Sequence, residues 1–164
     1  MIHKTFLGII CLFAVVTTSA QTISDNALGL RLGASNGFGT EISYQRAIGR
    51  TNRIEANLGW RDNKNFDAFR LTGLYQWVFP LNIDEGFNWF AGAGGGLGNV
   101  NFNSDGQFAN DENEFFIFVA GDVGIEYNFS IPLVISLDFK PEIGFNEFND
   151  GIEFDIGLGI RYQF

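Results

Sequence analysis

Cysteine, histidine and proline are scarce in this chain. It contains one cysteine, Cys11, one histidine, His3, and three prolines in 164 residues. Cys11 and His3 both lie in the first twenty residues, which we expect to be removed, so the mature protein would have no disulfide, no reactive thiol and no imidazole. No later stretch reaches eighteen consecutive apolar residues, and the sequence therefore predicts no transmembrane helix.

The first twenty residues have the three parts of a secretory signal peptide. Lys4 supplies the positive charge, residues 6–16 form a short apolar run, and Thr18-Ser19-Ala20 is a small-residue cleavage site. The apolar run is too short to cross a membrane as a helix. We expect a cleaved signal peptide over 1–20 and one domain over 21–164.

Basic residues are few. Without Lys4 the chain has 9 basic residues against 19 acidic ones, a net charge of −10. An acidic surplus of this size argues against nucleic acid or anionic lipid as a partner. Glycine and phenylalanine are instead abundant, with 21 and 19 residues, and this combination is typical of strongly curved strands that face lipid.

Apolar and polar residues alternate through the last fourteen positions. Side chains alternate between the two faces of a strand, so this segment predicts one apolar and one polar face. A tilted strand of about 9–11 residues crosses a bilayer as part of a closed barrel. The apolar face is formed by Ile152, Phe154, Ile156, Leu158, Ile160, Tyr162 and Phe164.

The same alternation recurs upstream, between segments rich in turn-forming residues. The predicted strands are 27–34, 38–46, 53–61, 66–79, 87–101, 115–129, 133–145 and 151–164. An even number of strands closes a barrel with both termini on one side. The predicted fold class is all-β, an eight-stranded antiparallel up-and-down transmembrane β-barrel.

Aromatic residues cluster near both ends of the predicted strands. A soluble barrel has the same two-residue period, so the alternation alone does not decide which wall faces out. Aromatic girdles at two interfaces and a signal peptide both favour an apolar wall that faces lipid. The girdle at the end of the termini would contain Tyr44, Tyr75, Trp77, Phe79, Phe87, Trp89, Tyr127, Phe129, Tyr162 and Phe164, and the opposite rim Phe38, Trp60, Phe115 and Phe145.

The C-terminal pattern Ile160, Tyr162, Phe164, together with these strands, resembles the small bacterial outer-membrane β-barrel family, the OmpA- and OmpX-like proteins, over residues 27–164. The resemblance implies a location in the outer membrane of a Gram-negative cell. It implies outer-membrane lipid and lipopolysaccharide as partners. It also implies that the barrel-assembly machinery recognises the C-terminal strand that ends in Phe164.

The polar wall is predicted to enclose many charges. An eight-stranded barrel is only wide enough for side chains to fill, and buried charges need partners. We therefore predict a structural or surface-interaction protein with a lumen plugged by ion pairs. A narrow channel for ions or small solutes is the alternative, and a secreted soluble barrel that binds an apolar ligand is the second alternative. The predicted inner charges are Glu41, Glu55, Asp122, Glu126, Asp138, Glu142, Glu153 and Asp155, with Arg31, Arg61, Arg70, Lys140 and Arg161.

Strand five contains four glycines on its inner face. No phosphate-binding glycine pattern is complete there. We expect Phe116 and Phe118 on the next strand to cover the glycines, because aromatic side chains stabilise neighbouring glycines in this way. The inner glycines are Gly92, Gly94, Gly96 and Gly98.

No catalytic residue and no cofactor is predicted. Membrane-barrel hydrolases and acyltransferases use a histidine with serine or aspartate, and residues 21–164 contain no histidine. Residues 101–112 match the spacing of a calcium-binding loop, with oxygen ligands at Asn101, Asn103, Asp105 and Glu112. The interpretation that we favour for this segment is an acidic surface loop, and no metal site is predicted.

Overall fold

Eight antiparallel strands form one closed sheet in the computed structural model, which describes residues 23–33, 39–62, 66–102, 113–145 and 151–164. The strands are β1 (Asn26–Gly33), β2 (Thr40–Ala47), β3 (Asn52–Asp62), β4 (Phe66–Pro80), β5 (Phe87–Phe102), β6 (Asn113–Asn128), β7 (Leu133–Gly144) and β8 (Ile152–Gln163). The predicted up-and-down barrel is confirmed, and each predicted strand boundary lies within two residues of the observed one. No helix in the described part of the chain is long and apolar enough to span a membrane.

Pairing between the first and last strands closes the barrel. Leu28 lies opposite Tyr162, and Leu32 lies opposite Leu158. Beyond these pairs, Asn26 N–H donates to the Phe164 carbonyl at 3.1 Å, and Phe164 N–H donates back to Asn26 at 2.9 Å. The start of β1 and the end of β8 therefore lie together at one end of the barrel, which we call the terminal end.

The connections at the terminal end are the turns at 48–51, 81–86 and 129–132. The β2–β3 turn is closed by Ile48 N–H, which donates to the Asn52 carbonyl at 2.9 Å. Phe129 N–H donates to the Leu133 carbonyl at 3.0 Å in the β6–β7 turn. The connections at the opposite end, which we call the outer mouth, lie largely outside the described residues.

Apolar side chains face outward and charged side chains face inward. Phe154 is 59% exposed and Leu137 is 49% exposed, whereas Asp138 is 5% and Arg161 is 1% exposed. A barrel in lipid needs this arrangement, because its outer surface meets hydrocarbon. The alternative of a soluble barrel with an apolar interior requires the opposite facing and is wrong for the described strands.

Aromatic residues lie at both rims of the wall, as predicted. At the terminal end the Tyr44 hydroxyl donates to Asn26 Oδ1, and Asn52 Nδ2 donates to the Tyr75 hydroxyl, both at 2.7 Å. A tyrosine placed this way keeps its ring on the apolar wall and its hydroxyl hydrogen-bonded. Trp60 lies opposite Phe69 near the outer mouth. Phe38, predicted for the same rim, is outside the described residues.

Pro141 interrupts the ladder between β6 and β7. Gly121 would pair with Pro141 and Asp122 with Lys140, but neither pair forms, although the pairs on both sides keep the same register. The cause is that proline has no N–H to donate to the neighbouring strand.

Candidate functional site

The enclosed charges of the lumen are the most distinctive chemical feature of this barrel. Ten of the thirteen predicted inner charges are buried, and Asp155 is partly buried. Glu153 and Arg61 are exposed, so their predicted enclosure is wrong. Their strand positions place both residues at the outer mouth, beyond the closed part of the lumen.

Arg31 binds three carboxylates from three different strands. Its Nε donates to Asp138 Oδ1 at 2.9 Å, and its Nη1 donates to Asp155 Oδ2 at 2.6 Å and Glu41 Oε2 at 3.2 Å. The planar guanidinium suits such multiple contacts, because its N–H groups have fixed directions. Arg31 thereby ties β1 to β2, β7 and β8 from inside the lumen.

Arg161 forms a second set of contacts nearer the terminal end. Its Nε donates to Ser43 Oγ and its Nη1 donates to Ser136 Oγ, both at 2.8 Å. Its Nη2 pairs with Glu55 Oε2 at 3.2 Å. The two inward serines are therefore hydrogen-bonded to a cation, and Ser136 also lies opposite Glu126 in the ladder between β6 and β7.

Glu55 accepts hydrogen bonds from four side chains. Gln45 Nε2 donates at 2.6 Å, Asn57 Nδ2 at 2.8 Å, and both Gln76 Nε2 and Arg161 Nη2 at 3.2 Å. A buried carboxylate is costly unless its oxygens are satisfied, and these donors satisfy both oxygens. The amide side chains extend the ion pairs into a continuous polar network.

Arg53 belongs to this network although it was not among the predicted inner charges. Its Nη1 pairs with Glu126 Oε2 at 2.7 Å, its Nε donates to Gln76, and its guanidinium lies 5.0 Å from the centre of the Phe90 ring. Arg53 is two residues from Glu55 and therefore faces the same way. The two-residue period could have identified it, because it starts the predicted third strand.

Arg70 pairs with Glu142 across the lumen, and its guanidinium lies 4.3 Å from the centre of the Phe118 ring. Three of the six arginine–carboxylate pairs among the described residues join strands three apart around the barrel of eight, and the other three are made by Arg31 to strands one or two away. The pairs of this kind are Arg53–Glu126 from β3 to β6, Arg70–Glu142 from β4 to β7, and Arg161–Glu55 from β8 to β3. These side chains therefore cross the interior.

Phe116 and Phe118 cover two of the four inner glycines of β5, and for Gly92 and Gly94, which meet β4 instead, the prediction is wrong. Phe118 ring atoms occupy the place that a Cβ at Gly96 would need, and Phe116 does the same at Gly98. Both rings are buried in a cluster that includes Leu74. The glycines therefore make room for an aromatic layer that packs beside the Arg70–Glu142 pair.

Ile23 closes the apolar part of the lumen at the terminal end. It precedes β1, is buried, and packs with Val78 and Phe90 and against Ala47. Ala47 N–H also donates to the Asp25 carbonyl at 3.0 Å, which holds this segment against β2. No periodic pattern in the sequence identifies Ile23 as a lumen residue, because it lies before the first predicted strand.

The predicted alternative of a calcium loop lies mostly outside the described residues, since residues 103–112 are not among them. Asn101 is exposed in β5. Within the residues that the structure describes, no group of three or more histidine, cysteine, aspartate or glutamate side chains is placed to hold a metal ion.

Comparison with solved structures places this wall and lumen among known barrels. The N-terminal β-barrel domain of Pseudomonas aeruginosa OprF superposes with a TM-score of 0.69 at 15% identity, over 88% of this chain and 100% of that one. The chain has the fold of the small outer-membrane β-barrels. The predicted resemblance is confirmed at the level of the fold.

Two further barrels match over most of their length. Neisserial surface protein A matches with a TM-score of 0.56 at 12% identity, over 85% of this chain and 94% of that one. Ail, the attachment invasion locus protein of Yersinia pestis, matches with a TM-score of 0.52 at 18% identity, over 85% and 97%. No protein-family description and no curated protein matches the sequence.

Proposed function

We propose that this protein is an integral barrel of the outer membrane, closed to ions, with a structural or surface-interaction role and no catalytic activity. The observation that supports closure is the set of arginine–carboxylate pairs that cross the lumen between strands three apart. An eight-stranded barrel has room inside for side chains and little more. In this barrel those side chains are bonded to one another.

The strength of the pairs supports a lumen that is closed in nearly all molecules at any time. Breaking a buried ion pair by removing one partner costs about 3–5 kcal/mol, because an uncompensated charge remains. Opening a path along the lumen requires several of these side chains to swing aside together. Each increase of about 1.4 kcal/mol in the free energy of the open state lowers its population tenfold, so the open state would be populated rarely.

The chemistry of the lumen supports a non-catalytic role. Ser43 and Ser136 are buried and accept hydrogen bonds from Arg161. A serine nucleophile needs an adjacent base that takes its proton, and a guanidinium remains protonated. Glu126 lies opposite Ser136, but its oxygens accept hydrogen bonds from Arg53 and Asn88.

The surface role is supported by the sequence at the outer mouth. Residues 103–112, between β5 and β6, form the longest connection between strands and contain three acidic residues. The Yersinia pestis neighbour is named for attachment and invasion, and the neisserial neighbour is named a surface protein. The proposal also includes two partners, lipid along the apolar wall and the assembly machinery at the strand ending in Phe164.

Recording of currents across a planar lipid bilayer tests the closed lumen. We expect refolded wild-type protein to give no discrete current steps. The double variant Arg53→Ser, Arg161→Ser removes two crossing side chains and should conduct. Ile54→Ala, which shortens a neighbouring side chain on the lipid side of β3, is the matched control and should remain silent. Discrete steps from the wild type would replace the proposal with the narrow-channel alternative.

Replacement of residues 103–112 by a short turn tests the surface role. Cells that express the shortened barrel should lose binding to the surfaces that the wild type binds, while the amount of folded barrel stays the same. Equal binding by both proteins would contradict a role for this connection.

A further inference from the structure

Within the part of the chain that the structure describes, Lys140 differs from the other buried cations of the lumen in having no direct hydrogen-bond partner. It is 1% exposed. Its Nζ has no hydrogen-bond partner among the described residues, whereas the guanidinium of Arg31 binds three carboxylates. An ammonium group has three N–H donors. A buried charge without compensating hydrogen bonds is strongly unfavourable, so this group needs acceptors.

Asp122 lies across from Lys140 and also has an unsatisfied atom. The register of the neighbouring pairs places Asp122 of β6 beside Lys140, although no ladder pair forms between them. Asp155 of β8 lies on the other side of Lys140 and is paired with it in the ladder. Asp122 Oδ2 accepts from Gln76, but Oδ1 has no partner in the described part of the chain. An ammonium and a carboxylate oxygen therefore face the same enclosed space without forming a direct ion pair.

Two further unpartnered atoms, Arg53 Nη2 and Asn57 Oδ1, belong to the same network. Arg53 and Asp122 are both hydrogen-bonded to Gln76, and Gln76 and Asn57 both donate to Glu55. Of the four buried atoms without partners, two are donors and two are acceptors. A cation would satisfy only the acceptors and an anion only the donors, whereas water both donates and accepts.

We propose that bound water bridges Lys140 Nζ to Asp122 Oδ1 inside the lumen, so that water completes the ion-pair network. Buried waters typically make about three hydrogen bonds to otherwise unsatisfied polar groups. A bridging water is nearly as favourable in enthalpy as a direct bond. The site lies on the inner side of the Gly121–Pro141 interruption, where the ladder between β6 and β7 is incomplete.

Lysine NMR can detect this water, because residues 21–164 contain only two lysines, Lys64 and Lys140. In the Lys64→Arg variant, labelled with ¹⁵N-lysine and refolded in detergent, the single ammonium signal belongs to Lys140. We expect magnetisation transfer from water to the Lys140 ammonium protons. Asp122→Leu, which removes one end of the bridge, should weaken this transfer, and Val123→Leu on the lipid side of the same strand should leave it unchanged.

A Lys140 signal without water transfer would overturn the proposal. A crystal structure gives the second measurement, in which a solvent oxygen should lie within about 2.7–3.2 Å of both Lys140 Nζ and Asp122 Oδ1. A direct Nζ–Oδ1 contact with no solvent oxygen would also overturn it. The bilayer currents test closure separately, because a silent barrel can be dry at Lys140 and a conducting barrel can hold this water.

Discussion

Truncation of Phe118 measures how firmly the aromatic layer fills the lumen. Phe118 is 3% exposed, covers Gly96 and lies against the Arg70 guanidinium. Phe118→Ala loses the transfer free energy of the ring and leaves a cavity, for which replacements of this kind cost about 3–5 kcal/mol. Loss of the desolvated cation–π contact adds up to about 2 kcal/mol. The free energy of unfolding in urea, followed by tryptophan fluorescence in lipid vesicles, gives the value.

Phe115→Ala is the matched control on the same strand. Phe115 is 56% exposed on the outer wall, where lipid chains fill the space that the ring leaves. Phe115→Ala should therefore lower the free energy of unfolding only by the transfer free energy of the ring, about 1.5–3 kcal/mol. No cavity forms, so no further cost is added. If Phe115→Ala destabilises the barrel as much as Phe118→Ala, the inward packing of Phe118 does not contribute as argued.

Three other substitutions test separate parts of the barrel by urea unfolding. Arg161→Met leaves Glu55 without its cation and should cost about 3–5 kcal/mol; a loss below 1 kcal/mol would show that the amide donors suffice. Pro141→Val supplies an N–H for the Gly121 carbonyl and should raise the free energy of unfolding by about 1 kcal/mol. The hydrogen bond gained within the membrane outweighs the roughly 0.4–1 kcal/mol lost because the unfolded chain becomes more flexible without proline. Ile23→Ala should cost about 2 kcal/mol, at the low end for buried isoleucine because the site is at the rim, and an unchanged midpoint would exclude a sealing role.

Strand positions and the inward face of most charges could be predicted from the sequence, because both depend on a local two-residue period. Glu55 and Asp138 follow this period in their own strands and are buried as expected. Arg61 and Glu153 follow it too, yet they are exposed. Periodicity gives the direction of a side chain, but not its depth along the barrel axis.

The partners inside the lumen could not be predicted in the same way. Arg31 binds Asp138, which is 107 residues away, and Arg53 binds Glu126, 73 residues away. These contacts depend on the register of every strand pair between the two residues, and no local sequence pattern predicts the combined register. The unpartnered Lys140 ammonium is a consequence of the same long-range geometry.

Closure between β1 and β8 has a consequence for biogenesis. The wall is completed only when Ala27 meets Gln163, so a nascent chain has two unpaired edges until its last strand has been made. A fragment that lacks β1 or β8 should therefore aggregate instead of inserting into the membrane. The adjacency of Asn26 and Phe164 also means that a circular permutant of the barrel, in which Phe164 is linked to Asn26 and the chain is reopened within 129–132, would retain every strand pair.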